Sequence, residues 1–280
     1  MEELSKHTAT ENLLRSFGAR RSRLSLLKGA LGAGAAITGA SLLGGLPARA
    51  ATNPVEATAE DTFTTIFTIA RTAEQLAVTF YQNGIANAGS LGLSGLQLDN
   101  IKAAAIEEQS HQQLFTTLGG ASLASSFSFP QGQFTFTNLG AFIETQQQLE
   151  GVFDAAFIAA VYEFAQAGRP DLAQVAAEIA MVESEHRALG RNIAAEAGLS
   201  AYDGSSYSPA NNWVFGLLTL EAVGDAPAIV TAAGFLGPNA NYAYVPIDYM
   251  NDPVYSGVYS RITSRAYVTS NQFDDGDDPT

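Results

Sequence analysis

Two of the three histidines in the chain stand three residues after a glutamate, in Glu108-x-x-His111 and Glu183-x-x-His186. On a helix, positions i and i+3 share a face, so each pair presents a carboxylate and an imidazole to the same point. Carboxylate oxygens and imidazole nitrogens together suit iron or manganese. The third histidine, His7, lies in an N-terminal leader, so the rest of the chain keeps histidine only in these two motifs.

Each motif follows another glutamate at nearly the same distance. Glu74 precedes Glu108 by 34 residues (108 − 74), and Glu150 precedes Glu183 by 33 (183 − 150). Both upstream glutamates lie in apolar helical stretches with an aromatic residue seven positions later, close to two helical turns. The repeat predicts a duplicated helix pair that brings six ligands to two metal ions. The predicted ligands are Glu74, Glu108, His111, Glu150, Glu183 and His186.

The pattern also suggests a role for each ligand. Glu108 and Glu183 would bridge or chelate the two ions, Glu74 and Glu150 would be terminal ligands, and each histidine would bind one ion. Open coordination positions would remain for oxygen or peroxide. The alternative is that Glu108 and Glu183 are surface carboxylates that make local pairs, which leaves the repetition unexplained.

Other polar residues near the motifs compete for these roles. Glu107 and Glu185 adjoin the motifs but point about 100° away on the helix, so we expect them to face solvent. Glu163 is a rival for the second upstream position, but it lies only 20 residues (183 − 163) before Glu183. Tyr81 either packs in the core or donates to a ligating carboxylate. Core packing alone is the favoured interpretation, because aromatic residues on a helix stripe are usually buried.

Hydrophobic periodicity predicts four helices, over about 58–84, 98–118, 139–168 and 170–198. Asp99 or Asn100 is expected to cap the second helix, and Gly168 and Pro170 mark the turn between the third and fourth. Residues 121–137 break the helical period with alternating phenylalanines. A crossover between the two helix pairs is favoured there over a short hairpin, because a duplicated bundle needs a long connection.

Beyond residue 201 the chain is rich in Gly, Ser, Asn and Tyr, which predicts irregular structure around a short helical stretch at 213–235. The acidic tail at 274–278 is expected to be solvated rather than to bind calcium.

Composition excludes several classes of protein. The 280-residue chain is 46% hydrophobic, which supports a substantial core. It has no cysteine, so disulfides, thiolate ligands and cysteine nucleophiles are excluded. Residues 1–51 hold 7 basic and 3 acidic residues, a balance of +4; the remainder holds 7 and 25 (14 − 7 and 28 − 3), or −18. A surface this acidic argues against nucleic acid and anionic membranes as partners.

The leader has the three parts of an export signal, which predicts residues 1–50 as a cleaved segment. Arg20-Arg21 resembles a twin-arginine signal, residues 29–46 form an apolar run, and Ala48-Arg49-Ala50 offers a cleavage site. Cleavage would leave a mature protein in the periplasm or outside the cell, without stable membrane insertion. The alternative is an uncleaved anchor, because the apolar run approaches the length of a membrane span.

The sequence resembles the ferritin-like superfamily at Glu74, Glu108-x-x-His111, Leu149-Glu150 and Val182-Glu183-x-x-His186. It looks most like the branch of exported bacterial ferritin-like proteins that includes plant and bacterial desiccation-related proteins. The resemblance covers about residues 56–200 and continues more weakly to about 237. It implies an all-α fold, with a ferritin-like four-helix bundle of two helix hairpins and a long crossover at 56–200. A mainly irregular extension with short helices would follow at 201–280.

Two functions are compatible with this pattern. The first is an exported protein whose di-iron or di-manganese centre oxidises ferrous iron or consumes peroxide, as a ferroxidase- or catalase-like oxidoreductase. The alternative is a desiccation- or stress-related envelope protein whose metal site is structural or vacant and which has no catalytic activity. The long C-terminal extension departs from cage-forming ferritins and argues against a storage shell. Assembly into a homo-oligomer is left open.

Overall fold

The computed structural model describes residues 59–212, 216, 218–237 and 240–262. The predicted leader and the acidic tail lie outside the described residues. Five α-helices are found among the described residues up to 196, of which four are long and one is a single turn. They are α1 (Ala59–Ala86), α2 (Ala88–Leu91), α3 (Gly95–Thr117), α4 (Leu139–Gln166) and α5 (Pro170–Glu196).

The four long helices form a bundle of two hairpins. α1 packs along α3, and α4 packs along α5. The core between them is apolar and rich in phenylalanine, with Phe80 stacked on Phe142 at a ring-centroid distance of 4.5 Å. The all-α class and the four predicted helices are confirmed, and each helix end lies within three residues of its predicted position.

Local signals explain where most of these helices begin and end. The side-chain oxygen of Asn138 accepts a hydrogen bond from the Ala141 amide (2.9 Å) and caps the start of α4. Gly168 follows the end of α4 with a left-handed φ of 73°, a conformation that favours glycine. Pro170 then begins α5, as predicted. The predicted cap of α3 was wrong: Ser94, and neither Asp99 nor Asn100, precedes that helix, because the turn after α2 leads into it one turn earlier.

The segment from 121 to 137 connects the two hairpins, and the predicted crossover is confirmed. It contains strand β1 (Ser126–Phe127) and a 3₁₀ helix (Gly132–Phe136). β1 pairs antiparallel with β2 (Tyr242–Ala243), far along the chain, so the hairpin alternative is wrong. Three of the four phenylalanines in this segment, at 127, 129 and 136, are buried, whereas Phe134 is exposed.

The C-terminal extension packs back on the bundle. It contains a 3₁₀ helix (Val223–Asp225) and two short helices, α6 (Ala226–Ala232) and α7 (Ser256–Tyr259). The α-helical part of the stretch predicted at 213–235 is therefore limited to α6 among the described residues. Glu144 of α4 accepts hydrogen bonds from the Tyr207 hydroxyl (2.5 Å) and the Tyr202 amide (3.0 Å). These bonds fix the start of the extension to the bundle.

Within the part of the chain that the structure describes, none of the helices combines the length and the apolar character needed to span a bilayer.

Candidate metal centre

All four long helices contribute side chains to one polar cluster inside the bundle. The structure brings together all six predicted residues: Glu74 from α1, Glu108 and His111 from α3, Glu150 from α4, and Glu183 and His186 from α5.

The cluster consists of two overlapping groups, in each of which one ligand atom per residue lies within 4.8 Å of the others. The first group is Glu74, Glu108, His111 and Glu183, and the second is Glu108, Glu150, Glu183 and His186. Glu108 and Glu183 belong to both groups. This shared membership is the arrangement that two bridging carboxylates would have between two ions.

The imidazoles point their Nδ1 atoms into the cluster. His186 Nδ1 lies 2.9 Å from Glu108 Oε1 and 3.5 Å from Glu183 Oε2. His111 Nδ1 lies 3.7 Å from Glu108 Oε2, and 3.8 Å from Glu74 Oε2 and from Glu183 Oε1. Donor atoms that share one ion at about 2.1 Å stand roughly 3–4 Å apart. Except for the 2.9 Å contact of His186 with Glu108, these separations exceed ordinary hydrogen-bond lengths and suit atoms that share a metal ion.

The donor atoms are buried and lack other partners, which tests whether these residues fit a metal. Glu74, Glu108 and Glu183 are 0% exposed. Both carboxylate oxygens of each of these three residues, Glu150 Oε2 and the Nδ1 atoms of both histidines have no hydrogen-bond partner. Burying unpaired charges is costly unless an opposite charge compensates them. Two divalent cations would balance the four carboxylates, so the donor set fits a pair of such ions.

Burial and mutual repulsion change the acidity of these carboxyl groups. Burial, followed by the nearby Glu108, raises the pKa of Glu74 well above its usual range. Burial, followed by Glu108 and Glu150, raises the pKa of Glu183 in the same way. Burial also acts to raise the pKa of Glu108, but the neighbouring Glu74 and the two histidines together outweigh it and lower that pKa. In the absence of cations the cluster therefore has carboxyl groups of very different acidity.

The structure places the competing carboxylates outside the cluster. Glu108 and Glu183 are fully buried, so the surface-pair alternative is wrong. Glu163 instead accepts a hydrogen bond from the Val223 amide (3.0 Å) and holds the C-terminal extension. Glu185 is exposed, as predicted.

Tyr81 does more than pack in the core, so the favoured interpretation of its role was wrong. Its side chain is fully buried, and its hydroxyl donates a hydrogen bond to Glu150 Oε1. Burial, followed by the charge of Glu150, raises the pKa of the Tyr81 hydroxyl well above its usual range, which keeps the phenol protonated as a donor. The spacing of seven residues after Glu74 was the sequence signal, because it places Tyr81 on the same helix stripe.

The prediction that Glu107 faces solvent was also wrong. Its Oε2 atom lies 2.8 Å from His186 Nε2, although 32% of its side chain remains exposed. The position before Glu108 points across to α5 rather than outward, because the hairpins pack against each other there. The only sequence signal was the adjacent pair Glu107-Glu108.

Gln146 of α4 was not singled out by the sequence. It is fully buried, and its amide nitrogen donates to the main-chain oxygen of His186 (2.9 Å) and to the Tyr81 hydroxyl (3.0 Å). Nothing in the local sequence distinguishes it from the neighbouring glutamines at 147 and 148.

A helix bundle of two hairpins, with four glutamates and two Glu-x-x-His histidines directed inward, is the architecture of carboxylate-rich metal proteins of the ferritin-like class. The family described as ferritin-like domain matches residues 62–196 of the chain. Over these residues the chain is similar to that family, and its fold is that of an all-α ferritin-like bundle. No curated protein matches the chain.

Proposed function

We propose that the protein binds two iron or manganese ions inside its bundle and uses them in an oxidation–reduction reaction with oxygen or peroxide. One observation carries this proposal: seven oxygens of the four buried glutamates and the Nδ1 atoms of both histidines converge without hydrogen-bond partners. Oxygen and nitrogen donors of this kind suit iron and manganese.

In this proposal the ligands divide as the two groups do. Glu74 and His111 would hold one ion and Glu150 and His186 the other, with Glu108 and Glu183, which belong to both groups, available to both ions. When bound, redox-active ions of this kind supply the electrons that are exchanged with oxygen or peroxide. The chain supplies charge balance, fixed ligands and exclusion of bulk water.

The two ends of the site differ in access to solvent. The His111 side chain is 14% exposed, whereas that of His186 is 3% exposed. In the proposed reaction, a small oxidant or a ferrous ion as substrate would arrive from the His111 side.

Metal analysis of the purified protein tests the proposal. After loading with Fe²⁺ or Mn²⁺ and removal of excess metal, elemental analysis should find close to two ions per chain. Glu108→Ala and His186→Ala should each lose bound metal, because Glu108 lies in both groups and His186 supplies a nitrogen donor. Glu185→Ala is the matched control, since Glu185 is exposed and immediately precedes His186. Unchanged metal content in both ligand variants would show that the proposal is wrong.

A structural metal site without catalysis is the second candidate. The near-complete burial of the cluster favours it, because closed sites are typical of structural metals. Assays of ferrous oxidation and of peroxide consumption by the loaded protein separate the two. Loaded protein that performs neither reaction, but loses thermal stability when a chelator is added, would support the structural role in a stress- or desiccation-related protein.

We also propose that the protein is exported, with cleavage after Ala50, to the periplasm or the cell exterior. The contrast between the leader at +4 and the remainder at −18 supports this proposal. An export signal ahead of a ferritin-like domain also supports a place in the exported, desiccation-related branch.

A further inference from the structure

Gln146 lies beside the candidate metal centre without being one of its ligands. Its side chain is 0% exposed, and the nitrogen of its amide reaches two partners. One is the main-chain oxygen of His186 at 2.9 Å, and the other is the hydroxyl of Tyr81 at 3.0 Å. Gln146 thus contacts both α5 and α1 at the level of the cluster.

The chemistry of these partners fixes the orientation of the amide. A main-chain carbonyl can only accept, so the nitrogen of Gln146, and not its oxygen, must face His186. The neighbouring Gln147 agrees, because its amide nitrogen donates to Gln146 Oε1 (3.3 Å). The same Gln146 nitrogen therefore donates to the oxygen of Tyr81, and the hydroxyl hydrogen of Tyr81 is directed to Glu150.

The helix opposite leaves space for this amide at one glycine. Gly190 lies on α5, one turn after His186, and a Cβ atom there would stand 1.6 Å from Gln146 Oε1. Any larger residue at 190 would force the amide of Gln146 to move from this position. The close approach of α4 and α5 at this point is therefore matched to the position of Gln146.

We propose that Gln146 is a positioning residue of the metal centre. Its amide directs the Tyr81 hydroxyl toward Glu150 and holds the main chain at His186 in place by a hydrogen bond. This inference rests on the proposed function, because it assigns Gln146 to the ion held by Glu150 and His186. The Glu74 and His111 position does not depend on it.

The consequence is selective. Without the donor from Gln146, the Tyr81 hydroxyl is free to turn away from Glu150. The main-chain oxygen of His186 also loses a buried hydrogen bond. Groups that orient metal ligands typically change metal affinity by about 10–100-fold when they are removed. Loss of Gln146 should therefore weaken one of the two metal positions and leave the other nearly unchanged.

Cobalt is a suitable probe, because Co²⁺ bound to nitrogen and oxygen donors has a visible spectrum that depends on its ligands. Titration of the full chain with Co²⁺, followed by calorimetry and visible absorption, should show two bound ions in the wild type. Gln146→Met keeps the length of the side chain but removes the donor. It should weaken one position by about tenfold or more and change the spectrum of that ion.

Gln148→Met is the matched control. Gln148 lies two residues along the same helix, and its side chain is exposed. The same substitution there should leave both Co²⁺ affinities within about twofold of the wild type.

Gly190→Ala tests the same effect of Gln146 on Co²⁺ affinity independently. It replaces Gln146→Met as the test if circular dichroism shows that Gln146→Met does not fold. It displaces the amide of Gln146 without removing it, and it should weaken the same position. Tyr81→Phe should also weaken that position. The double variant of Gln146→Met and Tyr81→Phe should bind Co²⁺ there no more weakly than the more affected single variant, because Gln146 acts through Tyr81.

Three outcomes would count against these assignments, and they are distinguishable. Wild-type binding of Co²⁺ at both positions by Gln146→Met and Gly190→Ala would overturn the inference and leave the proposed function intact. Strictly additive effects of Gln146→Met and Tyr81→Phe would overturn the coupling through Tyr81. Wild-type protein that binds no Co²⁺ would overturn the proposed function itself, and this inference with it.

Discussion

Glu107 Oε2 lies 2.8 Å from Nε2 of His186, across the contact between α3 and α5. A carboxylate can only accept, so this contact places a hydrogen of the imidazole on Nε2 and turns Nδ1 toward the cluster. Metal-bound histidines commonly donate their other ring nitrogen to a carboxylate, which fixes the ring and raises its basicity. Glu107 and Glu108 are therefore adjacent in sequence but act on opposite sides of the same imidazole.

The first prediction follows from that contact. Glu107→Ala should lower the affinity for metal by about 10–100-fold, because His186 loses the acceptor that orients it. The dissociation constant can be measured by competition with a chromogenic chelator. Glu185→Ala removes an exposed carboxylate from the residue next to His186 and should leave the affinity unchanged. Equal affinities in Glu107→Ala and wild type would show that the contact does not orient the ring.

The second prediction concerns stability and has opposite signs with and without metal. Glu74 is fully buried among three other carboxylates, and both of its oxygens lack partners. Glu74→Gln should raise the melting temperature of the metal-free protein at neutral pH, because the raised pKa of Glu74 makes the folded state take up a proton that the unfolded chain releases, and glutamine removes that cost. The same change should reduce the stabilisation by metal, which at 100 times the dissociation constant is about 2.7 kcal/mol per site.

Thermal unfolding in chelator and in excess Mn²⁺ checks both signs. Glu185→Gln is a suitable comparison, because Glu185 is exposed on α5. A metal-free Glu74→Gln protein that melts below the wild type would argue that this carboxylate is already compensated within the chain.

The sequence was sufficient for the bundle and for the convergence of the six residues. Helical periodicity and the i, i+3 spacing within each Glu-x-x-His are local properties, and the repeat predicted which helices pair. Glu150 could be preferred over Glu163 because the two helix pairs repeat their spacing, and the structure places Glu150 in the cluster.

The features that the sequence did not predict depend on contacts between elements that lie far apart along the chain. Whether Glu107 meets solvent or His186 is decided by how α3 packs on α5, which the residues of α3 alone do not determine. Gln146 and Gln147 are alike in sequence, and the position of the Tyr81 hydroxyl, to which Gln146 donates, distinguishes them. The pairing of β1 with β2 joins segments more than a hundred residues apart, and two-residue strands carry little alternation to detect.

The third prediction concerns the attachment of the C-terminal extension to α3. Gln109 is buried, and its side-chain oxygen accepts from the Ile247 amide (2.8 Å) and the Tyr244 hydroxyl (3.1 Å). Gln109→Leu should destabilise the protein by about 1–3 kcal/mol, because both donors lose a buried acceptor. Urea unfolding measures the loss, and limited proteolysis should cleave the extension sooner than in the wild type.

Ser110→Ala is the control for that experiment. The Ser110 hydroxyl donates only within its own helix, to the main-chain oxygen of Ile106 (2.8 Å). Its loss should change stability by less than about 0.5 kcal/mol and leave the rate of proteolysis unchanged. Faster cleavage in Ser110→Ala than in Gln109→Leu would assign the attachment to other contacts of the extension.

The last prediction concerns the leader, which lies outside the described residues. If the arginine pair at 20 and 21 directs export, replacing both by lysine should retain the full-length precursor inside the cell, while a general secretory signal would tolerate the change. Arg15→Lys is the matched control and should leave export intact. Mass spectrometry of the envelope and external fractions should find a wild-type chain that begins at Ala51. Unchanged export of the double variant would indicate an ordinary secretory signal, and residues 1–50 still attached in the envelope would indicate an anchor.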